Sequence, residues 1–457
     1  MNKVLSIKEY QGFYARRDGN AIHPGGQFFP LDEKDFQSLD GLIRSNVGRE
    51  EDSLAIMAVS YKKRFGEIIQ ARNFVGVISL PSGLQIEILP KIDIPDDPDG
   101  KRLRKVFLKM LSSVLDLDYK TFKTADLDKA SQLPLFEIFI QDFCRKVRNV
   151  LSLGVKHDYA IQEDNLPTFK GRLCVLENIR RNVTHKERFF VAYDDFGLNA
   201  VENRIIKTAL KCLRRRAKSS RSQIDILHLL DFFENVPVSS DVNADIQAIL
   251  RKRIDAHYRS ALNWSILFLR GYALSTFSGV EGSGATALLF PMEKLFERYV
   301  ARELRVVARQ IGGHVSVKTQ EKSNHLFESL TMHTGENIGP SFQLKPDVVM
   351  RSRLNEIVIA DTKWKNLQFR SQNIGISQGD AYQMSAYHRK YRREGNLKEI
   401  LLVYPRTSDM PTNAKELGTF ADEDFVVKAV AYDLLNSRDS ADYILSRIAQ
   451  GMFNDDE

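Results

Sequence analysis

Hydrophobic and polar residues alternate differently in successive parts of the chain, and the first part reads as β-structure. Residues 1 to about 100 contain short apolar runs separated by glycine and proline turns, which is typical of strands. The clearest pair is Asn73–Leu80 and Leu84–Lys91, where Gln85 and Glu87 alternate with isoleucines. This pattern predicts a β-hairpin in a sheet with one face in water.

Apolar residues in the middle of the chain recur at helical spacing. The pattern predicts a basic amphipathic helix from Lys101 to Leu115, a second over about Leu133–Leu151 and a third after Ala200. The glycine- and serine-rich segment Ser278–Gly284 then follows, which we interpret as a linker or a DNA-facing loop. We therefore predict a mostly helical middle domain over 101–278.

The last part of the chain alternates helices with strands. An amphipathic helix opens at Met292, and a second helix begins at Ser377, with Asp380 as its capping partner. Strand-like apolar runs lie between and after these helices, at 346–350, 357–363, 400–404 and 425–430. We predict an α/β overall fold (α+β multidomain): a β-rich domain over 1–100, a helical domain over 101–278 and a C-terminal α/β domain over 285–457.

Two of these predicted strands carry the most informative side chains. Asp347 opens the first strand, and Asp361 and Lys363 close the second, which is the PD-(D/E)xK nuclease pattern. Mg²⁺ binds through one or two carboxylates plus substrate phosphate. Residues two apart on a strand point to the same face, so Lys363 is expected beside the metal held by Asp347 and Asp361. There it can position an attacking water and stabilise charge on the phosphate.

The flanking helices supply two further candidates. Glu297 on the first helix can add a third acidic group, and Gln383 on the second can contact the metal-bound water or the DNA backbone. Both motif halves are common in proteins, so a solvated hairpin with exposed charges is the structural alternative. An ordinary surface glutamate is the corresponding alternative for Glu297.

Composition suits a polyanion-binding protein. The net charge is +7 and the isoelectric point about 9.0, a mild basic bias. Six basic residues and no acid lie between Lys211 and Arg221; Arg214, Arg215 and Arg216 are candidate contacts to a phosphate backbone, or a solvated helix face.

Several classes of protein are excluded or disfavoured. Cys144, Cys174 and Cys212 show no zinc-binding spacing and indicate thiols in a reducing cytoplasm. The N-terminus carries no export signal, and no apolar run is long enough to span a membrane. No nucleotide-binding loop of the Walker type occurs, so any motor that drives this protein is another polypeptide.

The chain resembles the McrC family, the nuclease subunits of McrBC-type modification-dependent restriction systems. The likeness is collinear over most of the chain. It is carried by Gly83–Lys91, by Phe169–Leu173 with Asn178–Asn182, by Tyr193–Phe196 with Glu202–Lys207, and by Ala360–Trp364 with Tyr382–Tyr387.

The resemblance implies a C-terminal restriction-endonuclease-like domain in which Asp347, Asp361 and Lys363 are catalytic and Mg²⁺ is the cofactor. It implies a hexameric AAA+ GTPase partner of the McrB type, which this chain stimulates and contacts through residues 1–100, and modified double-stranded DNA as substrate. Arg180 and Arg181 lie in one of the matching stretches and are candidate phosphate contacts, since paired arginines suit bidentate binding; the alternative is a bracing role within the fold.

Two other functions stay open at this point. In one, the chain is a non-catalytic activator and DNA-binding adaptor of a ring NTPase. In the other, it is a free-standing nuclease of the RecB type. The complete Asp347, Asp361 and Lys363 set argues against the adaptor.

Overall fold

The computed structural model describes residues 4–16, 26–44, 57–92, 97, 100–114, 133–270, 286–312 and 314–449. Two expected features fall largely or wholly outside these ranges: the loop Asp93–Gly100 and the linker Ser278–Gly284. Within them the protein is a mixed α/β structure with several sheets. No described helix combines the length and apolar character that a membrane span requires.

The N-terminal region forms two four-stranded sheets. One has the strand order β3-β2-β5-β4, and the other has the order β1-β7-β6-β11, where β11 comes from much later in the chain. The predicted hairpin is confirmed as the antiparallel pair β6 and β7. The elements are β1 Val4–Lys8, β2 Gly12–Ala15, β3 Phe28–Leu31, α1 Glu33–Arg44, β4 Met57–Lys62, β5 Gly66–Ala71, β6 Phe74–Ser79, β7 Gln85–Leu89 and β11 Thr286–Pro291.

The prediction that this hairpin has one face in water is wrong. Gln85 is 2% exposed and Glu87 is 0% exposed. Elements further along the chain cover this face: Arg104 forms an ion pair with Glu87, and the backbone N–H of Leu135 donates to the same carboxylate at 2.7 Å. The buried charge is therefore paired and hydrogen-bonded, as burial of a carboxylate requires.

The middle region is helical but also contains a sheet that the sequence pattern does not predict. The three predicted helices are present, and strands β8, β9 and β10 form an antiparallel sheet between the second and the third. The elements are α2 Lys101–Val114, α3 Leu135–Leu153, β8 Asp158–Leu166, β9 Arg172–Leu173, α4 Val175–Arg181, β10 Phe189–Gly197, α5 Val201–Arg214, α6 Ser220–Phe232, α7 Val242–Arg251 and α8 Ala256–Arg270.

The C-terminal region is built on a six-stranded mixed sheet of order β12-β15-β16-β17-β19-β18. Its central pairs β16–β17 and β17–β19 are parallel, whereas β15–β16 is antiparallel. The elements are α9 Met292–Gln310, β12 Val315–Thr319, β13 His325–Thr331, β14 Asn337–Gln343, β15 Val348–Ser352, β16 Glu356–Thr362, α10 Gln378–Tyr391, β17 Asn396–Pro405, β18 Glu416–Asp422, β19 Phe425–Tyr432 and α11 Ser437–Ala449.

Side chains on the two faces of this sheet enter different cores. Val348 and Val358 belong to a large core that includes α9 and α11 and extends into the middle helices. Val349 and Ile359 belong to a second core, against α10. Alternation along the strands therefore assigns odd-numbered positions near the end of β16 to the α10 face.

Candidate active site

Antiparallel pairing brings the two predicted metal-binding carboxylates to the same end of neighbouring strands. Asp347 immediately precedes β15, and Asp361 is the second-last residue of β16. Val348 pairs with Ala360, so the start of one strand lies beside the end of the other. Thr362 reinforces the junction, because its backbone N–H and its hydroxyl both donate to Asp347 Oδ2, at 2.7 and 2.6 Å.

Lys363 reaches back to Asp361, as their spacing predicts. Its Nζ lies 2.7 Å from Asp361 Oδ2, and the carboxylate is almost fully buried. Burial by itself lowers the pKa of Lys363, but the charges of Asp361 and Asp380 outweigh it and the pKa is raised. The lysine therefore stays a cation in contact with a buried carboxylate. The structure contradicts the alternative of a solvated hairpin with exposed charges.

Both carboxylates lie in an environment that disfavours their ionised forms. Partial burial, followed by the negative charges of Asp361 and Glu297, raises the pKa of Asp347 to about 7. Burial also raises the pKa of Asp361, although Lys363 and Tyr387 oppose the shift. Two nearby carboxylates that resist ionisation in the metal-free protein would be stabilised as anions by a bound cation.

Glu297 lies close enough to act electrostatically on Asp347. It is 5% exposed on α9 and is not a surface glutamate. Its Oε1 accepts a hydrogen bond from Gln320 Nε2 at 2.7 Å, and the backbone N–H of Gln320 donates to the carbonyl of Asp347 at 3.1 Å. Gln320, which sequence reasoning did not identify, thus connects Glu297 on the helix to the backbone of Asp347. It has the left-handed φ of 46°, uncommon for glutamine.

Gln383 contacts Lys363 directly. Its Oε1 accepts from Lys363 Nζ at 2.9 Å, and its Nε2 lies 2.8 Å from the Tyr387 hydroxyl. Tyr387 in turn donates to Asp361 Oδ1 at 3.3 Å. Sequence reasoning did not select Tyr387, yet a signal was present, since positions four apart on a helix share a face.

Asp380 has a second role beyond the one predicted. The expected capping box with Ser377 is confirmed. The same carboxylate lies 3.4 Å from Lys363 Nζ and 3.0 Å from Lys365 Nζ. Burial raises the pKa of Asp380, but the hydrogen bonds from Ser377 and Lys365 outweigh it and the pKa is lowered. Asp380 therefore stays anionic beside Lys363.

The donor set fits a hard divalent cation. In the described part of the chain no group of three or more histidine, cysteine, aspartate or glutamate side chains is arranged as a metal site. Mg²⁺ does not require such a cage, because it keeps several waters and binds through one or two carboxylates. Asp347 and Asp361 supply those two carboxylates.

The predicted DNA-binding arginines lie on other elements, in the middle region. Arg180 and Arg181 are exposed on α4, at 81% and 59% of their side chains, and both approach Glu177. Arg214 and Arg215 are exposed at the end of α5, and Arg216 is half-buried. The neighbouring Arg204 has a bracing role, because it forms two hydrogen bonds with Asp245.

The fold and the site define a multidomain α/β protein with a buried carboxylate–lysine centre at one edge of its C-terminal sheet. The model of the family described as "McrBC 5-methylcytosine restriction system component" matches residues 69–405. The match covers more than half of the chain, and the protein belongs to this family.

Two solved structures are similar to this chain. One is the refined half-complex from the tetradecameric assembly of Thermococcus gammatolerans McrB AAA+ hexamers with bound McrC. It is 18% identical with a TM-score of 0.63, over 98% of this chain and 100% of that chain. The other is the cryo-EM structure of the T. gammatolerans McrBC complex, at 18% identity and a TM-score of 0.43, over 71% and 90% of the two chains. No curated protein matches this chain.

Proposed function

We propose that this protein is the DNA endonuclease subunit of a modification-dependent restriction complex. In this proposal the C-terminal region is a restriction-endonuclease-like PD-(D/E)xK domain that hydrolyses DNA phosphodiesters with Mg²⁺. The observation that carries the proposal is the placement of Asp347, Asp361 and Lys363 at one sheet edge, with Lys363 in contact with Asp361.

Each residue of the centre has a distinct task in this mechanism. Asp347 and Asp361 would hold the cation, which when bound would lower the pKa of a coordinated water and polarise the phosphate. The Lys363 ammonium lies where it can orient the attacking water and stabilise negative charge on the phosphate. Gln383 and Asp380 hold the ammonium in place through their contacts with Nζ.

Surrounding residues fix the geometry of the carboxylates. Thr362 occupies one oxygen of Asp347 with two hydrogen bonds, and Tyr387 restrains Asp361. Partners of this kind orient metal ligands and increase affinity for the metal. Glu297 adds negative charge near Asp347 and further favours a cation there.

We further propose that the chain acts with an AAA+ GTPase of the McrB type. Family membership supports this, and the half-complex of T. gammatolerans contains McrB AAA+ hexamers with bound McrC. The family's description names 5-methylcytosine, which supports modified DNA as the substrate. We propose that this DNA is double-stranded and is cut in the cytoplasm. The basic charge of the chain favours association with this polyanion.

The test is cleavage of methylated and unmethylated plasmid in the presence of Mg²⁺, GTP and a partner AAA+ GTPase of the McrB type. Wild type and Asp361→Ala are compared, and stimulation of GTP hydrolysis is measured in the same reactions. Cleavage by the wild type alone, with equal stimulation by both proteins, is expected. Equal stimulation without cleavage by either protein contradicts the nuclease and favours the adaptor.

A further inference from the structure

The residue after the catalytic lysine is held by the N-terminal region of the chain. Trp364 is 2% exposed, and its indole N–H donates to both oxygens of Glu9, at 3.2 and 3.0 Å. Lys91 Nζ donates to the backbone carbonyl of Trp364 at 3.1 Å. Glu9 thus binds the side chain of Trp364 and Lys91 binds its backbone, and Trp364 is the neighbour of Lys363 in the chain.

Glu9 and Lys91 are themselves joined as a unit. The backbone N–H of Lys91 donates to Glu9 Oε2 at 3.0 Å, and the backbone N–H of Glu9 donates to the carbonyl of Leu89 at 2.9 Å. Glu9 directly follows β1, and Lys91 lies just past β7, its parallel neighbour. The two residues that contact Trp364 therefore lie at the ends of two paired strands.

Hydrogen bonds and an uncommon backbone conformation fix the turn that follows Glu9. The next residue, Tyr10, has a φ of 66°, in the left-handed region that bulky side chains rarely adopt. Its carbonyl accepts hydrogen bonds from Gln27 and Gln70, at 2.8 and 2.7 Å, and its ring lies 4.8 Å from Lys91 Nζ. Backbone conformations of this kind persist when the surroundings over-determine them.

Trp364 also connects the two elements that carry the proposed nuclease residues: the helix α9 with Glu297, and the end of β16 with Lys363. Its ring packs against Phe296 at 5.4 Å, and Phe296 immediately precedes Glu297 on α9. On its other side, Trp364 is bonded to Lys363, whose Nζ contacts Asp361 at 2.7 Å. A shift of the indole would therefore be transmitted both to the catalytic lysine and to the helix that carries the third acid.

We propose that Glu9 is a positioning residue of the nuclease centre, acting through Trp364 on Lys363. It touches neither substrate nor metal; it holds the strand end that carries the lysine, from a sheet more than 350 positions earlier in the chain. The proposal rests on the proposed nuclease function. Misplacement of a catalytic group by about 1 Å can lower a rate by about 100-fold, so the effect is measurable.

The test uses the full-length protein with its AAA+ partner and measures the single-turnover cleavage rate at saturating DNA and Mg²⁺. Glu9→Ala is expected to lower the rate by about 10- to 100-fold, with DNA affinity and partner stimulation unchanged. Glu9→Gln keeps one oxygen that accepts the indole N–H and is expected to recover much of the rate. Glu87→Gln is the matched control: a buried acid of the same sheet whose partners do not include Trp364.

A double-mutant cycle separates positioning from general stability. Trp364→Phe keeps the ring against Phe296 but removes the indole N–H, and combining it with Glu9→Ala should add little further loss, because both break one contact. Fully additive losses, or an equal loss in Glu87→Gln, overturn the proposal. A Glu9→Ala variant that cleaves at the wild-type rate overturns this inference and leaves the proposed nuclease function standing. An inactive wild type under the same conditions overturns the nuclease function and this inference with it.

Discussion

Replacing Asp347 with asparagine should stabilise the metal-free protein while abolishing its function. The pKa of Asp347 lies at about 7 instead of 3.8, because of partial burial and the charges of Asp361 and Glu297. Asparagine keeps an oxygen that accepts from Thr362 and carries no charge. The substitution therefore removes an unfavourable anion without removing the hydrogen bonds.

The expected gain in the free energy of unfolding, and its dependence on pH, follow from the raised pKa of Asp347. About three pKa units at about 1.4 kcal/mol each amount to about 4 kcal/mol, which partial exposure of the side chain reduces to roughly 2–4 kcal/mol. From about pH 4 to about pH 7 the folded wild type holds a proton that the unfolded chain releases. Its stability therefore falls as pH rises through this window, and the loss is complete above pH 7.

The assay is urea unfolding of wild type and Asp347→Asn at about pH 5 and about pH 8, with and without Mg²⁺. The variant should be more stable than wild type at the higher pH and closer to it at the lower pH. Saturating Mg²⁺ should stabilise the wild type and leave the variant nearly unchanged, because one carboxylate is missing.

Asp245→Asn is the control, because the pKa of Asp245 is lowered and its replacement should change the stability in the opposite direction. Hydrogen bonds from Arg204 and Ser239 outweigh burial and lower the pKa of Asp245, so its stabilising effect is present above its unfolded pKa and lost only as pH falls through the folded pKa. This variant should be destabilised equally at both pH values and should respond to Mg²⁺ like the wild type. An Asp347→Asn protein that is less stable than wild type at about pH 8 would refute the reasoning.

Three further predictions follow from other contacts. Tyr387→Phe removes the hydroxyl that donates to Asp361, which we propose as a metal ligand, and should raise the Mg²⁺ concentration needed for half-maximal cleavage by about 10- to 100-fold. Gly76→Ala should destabilise the protein by roughly 1–3 kcal/mol in thermal unfolding, since its Cβ would lie 2.0 Å from a carbonyl oxygen of β11 and its φ is +140°. The double variant Arg180→Ala, Arg181→Ala should bind DNA more weakly in fluorescence anisotropy, with a salt dependence shallower by about two phosphate contacts.

Each of these has a distinct contradicting result. A Mg²⁺ dependence identical to wild type would remove Tyr387 from the metal site. Unchanged thermal unfolding of Gly76→Ala would mean that β6 and β11 do not approach each other this closely. An unchanged salt slope, with wild-type affinity, would assign the two arginines the bracing role; Arg204→Ala, the control, should lower stability and leave the slope intact.

The local features of the site could be predicted from the sequence because they depend on short-range geometry. Alternation along a strand places Asp361 and Lys363 on one face, and the capping box at Ser377 depends only on a spacing of three residues. The convergence of Glu297 and Gln383 on the centre followed from the order of elements. The hydrogen-bond partners of these two side chains could not be predicted from that order.

Long-range pairing accounts for most of what the sequence did not reveal. Glu87 looks like a solvent-facing strand residue until Arg104 and Leu135 cover it. In the sheet of β8, β9 and β10, β8 is largely exposed, β9 has only two residues and β10 buries only the short run Phe190–Ala192. None of these strands shows the sustained apolar alternation by which a sheet is recognised. Gln320 enters the site only because β12 lies beside β15, which no local pattern specifies.

The N-terminal and C-terminal regions are joined more closely than their separation in sequence suggests. Strand β11, which immediately precedes α9, completes the N-terminal sheet by pairing with β6. The backbone N–H of Met292 then donates to the carbonyl of Asn73 at 2.9 Å. The helix that bears Glu297 therefore begins at the N-terminal sheet, and this connection supports mechanical coupling between the two regions.

The most direct test of the catalytic centre compares two lysines that share a partner. Lys363 and Lys365 both pair with Asp380, but only Lys363 contacts Asp361. The measurement is the initial rate of methylated plasmid cleavage by wild type, Lys363→Ala and Lys365→Ala, each with Mg²⁺ and the AAA+ partner. The account predicts at least about a 100-fold loss for Lys363→Ala and a rate near wild type for Lys365→Ala. Equal rates for the two variants would contradict the assignment of Lys363 as the catalytic lysine.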